Sequence, residues 1–156
     1  MRAKTWLGFN AILMAAYAFG ADAEDKKAKD ETFDPAKLVG TWTYVSGEKN
    51  GMKLDAAHFK NGKVIVARDT ITLPGQEGKF VMKYKLDVKK KPIAISMEMT
   101  ESPFGGGAKA EGILAVKGDE LKICYAPMGD APKAFEAKEG SNHHLFVLKR
   151  VKEKKK

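Results

Sequence analysis

The sequence predicts an antiparallel all-β domain that closes as an up-and-down barrel of about eight strands, with one short helical turn. Three observations carry that reading. Between residues 38 and 150, apolar and polar side chains alternate with period two in short segments, the spacing of a strand with one buried face. Gly, Pro, Asn and Asp punctuate these segments, and no stretch sustains a helical period. Simple succession of such strands favours closure, because a barrel leaves no sheet edge exposed. A β-sandwich is the competing arrangement.

Taken from the N-terminus, Arg2 and Lys4 precede an apolar run over residues 5–20 broken only by Asn10, and Ala21-Asp22-Ala23 follows. A basic start, an apolar stretch and a small-x-small end are the parts of a signal peptide, so residues 1–23 are expected to be removed after Ala23 and the protein to be secreted or periplasmic. The apolar run is shorter than the ~20 residues of a spanning helix, and no transmembrane segment is expected after cleavage. The one cysteine, Cys124, lies far from that junction, which argues against a lipid anchor and excludes a disulfide scaffold. Residues 24–36 read as a charged linker, residues 37–150 as the barrel domain and residues 151–156 as a basic tail. The formal charge of +8 on 156 residues is concentrated at that end, where Lys149, Arg150, Lys152, Lys154, Lys155 and Lys156 outnumber Glu153. A lysine block without interleaved aromatics gives salt-sensitive, unspecific attraction, so no specific nucleic-acid partner is implied.

Residues 40–46 form the first expected strand, and Asn50-Gly51 is a strong hairpin turn leading into Met52, Lys53 and Leu54. Residues 55–59 suit one helical turn with Asp55 as its N-cap, ended by Asn61-Gly62. Strands over 63–68 and 69–73 follow, the second stopped by Pro74-Gly75. In residues 79–86, Phe80, Met82, Tyr84 and Leu86 share one face while Lys79, Lys83 and Lys85 share the other. Residues 93–100 repeat the pattern with Ile93, Ile95, Met97 and Met99 inward. Residues 111–116 and 121–126 pair through a tight connection at 117–120, and residues 144–150 close the domain.

Gly40-Thr41-Trp42 in the first strand and Arg150 at the end of the last resemble the lipocalin signature, in which the guanidinium lies across the indole and shuts one end of the barrel. Further pieces occur in order: Asn50-Gly51-Met52-Lys53-Leu54, Tyr84-Lys85-Leu86-Asp87, Lys91-Pro92-Ile93-Ala94-Ile95, Glu111-Gly112-Ile113-Leu114, Gly118-Asp119-Glu120-Leu121 and Val147-Leu148-Lys149-Arg150. Together these resemble an uncharacterised lipocalin-like domain family of secreted proteins in planctomycete-type bacteria. That resemblance implies a secreted barrel with Gly40, Trp42 and Arg150 as structural closure, and it brings no catalytic residue or ligand set with it.

Catalytic chemistry finds little footing. His143 and His144 are neighbours in a strand and point to opposite faces, which disfavours a shared metal. Cys124 has no His or basic cluster nearby in sequence to activate it. Asp119-Glu120 sits in a turn, Glu98 and Glu101 flank a strand end, and Gly105-Gly106-Gly107 lacks the Lys and helix of a phosphate loop. No enzyme, cofactor or metal is therefore expected. The inward set Phe80, Met82, Tyr84, Ile95, Met97, Leu114, Ile123 and Tyr125 offers the wall of an adaptable apolar pocket, with 102–107 as a loop at its mouth. The expected function is non-catalytic binding of a small apolar ligand by a monomer. The alternative is an envelope interaction or structural module with a solid barrel. A lumen of at least ~300 Å³ would favour the first, and a filled one the second.

Overall fold

The computed structural model describes residues 32–75 and 78–154. The expected signal peptide, residues 24–31 of the linker and the last two lysines lie outside them. Among the described residues nine strands follow one another: β1 (Gly40–Lys49), β2 (Met52–Lys53), β3 (Lys63–Val66), β4 (Thr70–Gly75), β5 (Gly78–Asp87), β6 (Ile93–Glu101), β7 (Lys109–Lys117), β8 (Glu120–Ala126) and β9 (His144–Arg150). Each pairs antiparallel with its successor from β3 onward, β1 pairs with β3, and β9 returns to β1 from Trp42↔Arg150 to Lys49↔His144. The fold is therefore a closed, lipocalin-like up-and-down barrel of eight strands. The short β2 stays outside the ring and only folds back on the end of β1.

Several expectations need correcting. Among the described residues two turns of 3-10 helix are present: Pro35–Leu38 is an additional one, and Ala56–Phe59 is the one expected over 55–59. The first is capped by the Asp34 side chain, which accepts from the Ala36 N–H at 2.9 Å; Asp55 begins the second without any side-chain cap bond. Pro74-Gly75 do not stop β4, because Pro74 pairs with Lys79 at the end of that strand, where its missing N–H costs little. The folded unit also reaches back into residues 24–36, since Phe33 packs against the core and Asp34 and Pro35 start the first turn.

The end formed by Pro35–Leu38 and the β9 terminus is shut by a small network. Trp42 is 0% exposed and donates from Nε1 to the Leu38 carbonyl at 3.0 Å. The Arg150 guanidinium lies 4.2 Å from the centre of the Trp42 ring and donates to the carbonyls of Val39, at 2.8 Å, and Lys37. Stacking, hydrogen bonding and the covering of apolar surface thus converge on one planar group, which an ammonium would not reproduce. Gly40 has φ +146°, and a Cβ there would stand 2.6 Å from Arg150 Nη1, so only glycine leaves the guanidinium its place. Asp119, which reads in sequence as a plain turn residue, holds Arg150 as well: its carbonyl accepts from the Arg150 N–H at 2.7 Å, and its carboxylate lies 3.8 Å from Nε.

A bulge between Tyr44 and Ser46 resets the first strand. Trp42 and Tyr44 face inward before it and Val45 is turned out, 60% exposed. After it the inward positions are Gly47, opposite Phe146, and Lys49, opposite His144. One extra residue therefore moves a lysine from the outer face to the lumen side.

A second layer covers part of the outer wall. Ile113, Cys124 and Leu145 are cross-strand neighbours on the outer face of β7, β8 and β9. The connection over 127–143 folds across them: Glu136 presents its carbonyl 3.4 Å from Cys124 Sγ, and Lys122 lies over the Phe135 ring. Pro132 and Ala137 in that connection are buried. Cys124 is 0% exposed, and burial pushes its thiol pKa up. The native protein should leave Cys124 unlabelled by a thiol-specific disulfide reagent over hours and release one equivalent on denaturation; rapid native labelling would show that the 127–143 covering opens readily.

Candidate functional site

Inside the barrel lies a cavity of about 180 Å³. Its walls come from every strand of the ring, because side chains of one parity in each strand converge on the axis. Val64 and Val66 enter from β3, Ile71 and Leu73 from β4, and Met82 from β5. Ile95 and Met97 come from β6, Leu114 from β7, and Leu121, Ile123 and Tyr125 from β8. Phe146 and Leu148 complete the circuit with Tyr44 and Lys49 of β1, and Leu38 underlies them. The volume falls short of ~300 Å³, yet the interior is not solid. Aromatic rings projecting inward at Tyr44, Tyr125 and Phe146 consume much of the width that a barrel of eight strands offers.

Of the inward residues expected from sequence, Met82, Ile95, Met97, Leu114, Ile123 and Tyr125 line this cavity. Tyr84 and Phe80 do not. Tyr84 is buried in the core, with its hydroxyl donating to the Ala67 carbonyl at 2.8 Å, and burial, helped by the Asp69 charge, raises its pKa. Phe80 belongs to the end of β5 beyond a register shift between Val81 and Met82, where its ring faces that of Phe104 at 6.3 Å. The loop over 102–107 is tied down by the Gly107 N–H to the Met99 carbonyl at 2.7 Å and by Ser102, whose hydroxyl accepts from the Phe104 N–H at 3.2 Å and donates to the Gly105 carbonyl. Phe104 at its tip is 80% exposed.

The lining residues missed in sequence reading are mostly short β-branched or leucine positions in β3, β4 and β9, together with Tyr44 and Lys49. Alternation in β3 and β4 is legible over only a few residues each, and the place of Lys49 depends on the bulge.

At the open end the cavity changes character. Lys49, His144 and Tyr125 are consecutive cross-strand partners on β1, β9 and β8. Their rings and stems pack with Phe146: Tyr125 stacks on it at 6.2 Å, His144 meets it edge-on at 6.5 Å, and Lys49 Nζ lies 6.0 Å from its centre. Tyr44 completes the group, 5.4 Å from Phe146 and stacked 5.0 Å from Phe59. Burial pushes the Tyr44 hydroxyl up to about 12 and raises Tyr125 further, with Tyr44 and Cys124 adding to the shift. Burial chiefly, and the Lys49 charge to a lesser extent, lower the His144 pKa, so its imidazole favours the neutral form. His144 Nδ1 stands 3.4 Å from the Tyr125 hydroxyl, while His143 Nε2 turns away to the Asp130 carbonyl at 3.2 Å. The two imidazoles thus part to separate partners, and among the described residues no group of three His, Cys, Asp or Glu side chains comes together. Among those residues, too, no helix is long and apolar enough to cross a membrane.

No protein-family model, curated protein or solved structure matches this chain.

Proposed function

We propose that this chain is an exported, monomeric, non-catalytic binding domain that holds one small apolar molecule inside its barrel, and that it is a member of the lipocalin-like domain family of planctomycete-type bacteria. The supporting observation is the cavity of about 180 Å³ with a wall of aliphatic, thioether and aromatic side chains. Its size selects among ligands. A cavity of ~150 Å³ lined by apolar side chains accepts a molecule such as benzene, so a single ring with one or two substituents fits here. A long-chain lipid, a retinoid or a tetrapyrrole does not.

Native mass spectrometry of the protein isolated from its own envelope, followed by organic extraction, tests this reading directly. A reproducible added mass of one small organic molecule is the expected result. In parallel, toluene at about ten times its Kd should raise Tm by about 5 °C. Bare protein, together with no shift across a panel of single-ring compounds, overturns the reading in favour of a packed interaction module.

A further inference from the structure

The apolar cavity ends in a polar mouth that a purely apolar ligand would leave unused. Among the described residues lining the cavity, Lys49 carries the only formal charge, and none of them is a carboxylic acid. The bulge after Tyr44 is what brings that lysine to the lumen side, against the ordinary alternation of β1. The side chains of Tyr44 and Tyr125 share the lining with it, and the Tyr125 hydroxyl already has His144 Nδ1 as a neighbour at 3.4 Å. The Tyr44 hydroxyl makes no hydrogen bond to another described residue, although its ring is held on two sides by Phe59 and Phe146. A donor without a protein acceptor that shares the Phe146 ring with one cation, with no anion on the lining, is an arrangement complementary to a negative group.

We propose that the barrel selects a small monocarboxylic acid, its single-ring or branched body seated among Met82, Ile95, Met97 and Leu114 and its carboxylate at the mouth against Lys49 and the Tyr44 hydroxyl. This rests on the binding reading above and gives it a ligand class. Both tyrosines remain protonated donors because burial disfavours their phenolate forms. The neutral imidazole of His144 neither repels the carboxylate nor duplicates the lysine charge. Lys49 is exposed beyond its packed stem, so its contribution is screened by salt and modest in size.

Benzoate, benzamide and benzamidine share one shape and carry charges of −1, 0 and +1, which isolates the head group. Titrating the full chain with each at low salt, with toluene as a control for the cavity, should give benzoate at least about fivefold tighter than benzamide and benzamidine weakest. Lys49→Met should abolish the preference for benzoate over benzamide measured within that variant, and Tyr44→Phe should reduce it. Equal affinity for benzoate and benzamide, or an unchanged preference in Lys49→Met, overturns the head-group assignment even when toluene binds. Failure of toluene and of all three probes overturns the binding reading itself. A circular dichroism spectrum and a urea midpoint matching those of the parent protein show that each variant is folded.

Discussion

Trp42→Ala should lower the stability of the barrel by about 3–5 kcal/mol, the cost of removing a buried aromatic side chain from a site that cannot collapse around the loss. The indole is 0% exposed, bonded to the Leu38 carbonyl, and covered by Arg150. Its removal opens the shut end and leaves the guanidinium without the face on which it lies. Urea unfolding followed by circular dichroism measures the effect, since the substitution removes the buried fluorophore itself. A loss below about 1 kcal/mol would mean that the shut end does not depend on the indole. Arg150→Met keeps an apolar cover but removes the carbonyl bonds and the cation–π attraction, so it should cost less, about 1–2 kcal/mol.

Gly112→Ala should be the most damaging single-methyl addition in the ring. A Cβ there would stand 2.4 Å from the Cys124 carbonyl oxygen and 2.7 Å from Tyr125 Cβ, so β7 and β8 would have to part at the Gly112↔Tyr125 pair. Backbone cannot move aside as a side-chain tip can, and a loss of about 2–3 kcal/mol is expected. Gly47→Ala provides the contrast. Its Cβ would meet Phe59 Cζ at 2.5 Å and two Phe146 ring atoms at 2.8 Å, all on side chains that can tilt. That variant should lose about 1 kcal/mol and should shrink the mouth, weakening toluene as well as benzoate. Equal losses in the two variants, measured by the same urea titration, would contradict the tightness of the β7–β8 contact.

Particular residues show where sequence reading succeeds and where it stops. Met82, Ile95, Met97, Leu114, Ile123 and Tyr125 sit in regular strands where period two is enough to assign a face. Phe80 lies beyond the shift at Val81/Met82, so its parity is right while its place is outside the cavity. Lys49 lies past the first expected strand over 40–46, and a bulge is a property of two paired strands that leaves no sign in either alone. Asp119 likewise reads as a turn former, and its hold on Arg150 exists only once β8 and β9 are adjacent. Cys124 is legible as unactivated, but its covering by the 127–143 connection depends on a fold-back that no local pattern encodes.

The amino-acid sequence by itself determined that this chain builds antiparallel strands with one apolar face and where most of them lie, and these follow from local rules of alternation and turn chemistry. That Gly40, Trp42 and Arg150 belong together was implied by the resemblance to the lipocalin signature, since no local rule joins residues so far apart in the chain. Only the tertiary structure decided that β9 closes on β1, that the lumen holds about 180 Å³, and that Lys49 and Tyr44 share its lining. Cavity volume is the small residue left when large side chains from eight strands pack around one axis, and which of them faces inward at a bulge is settled by pairing across strands distant in sequence.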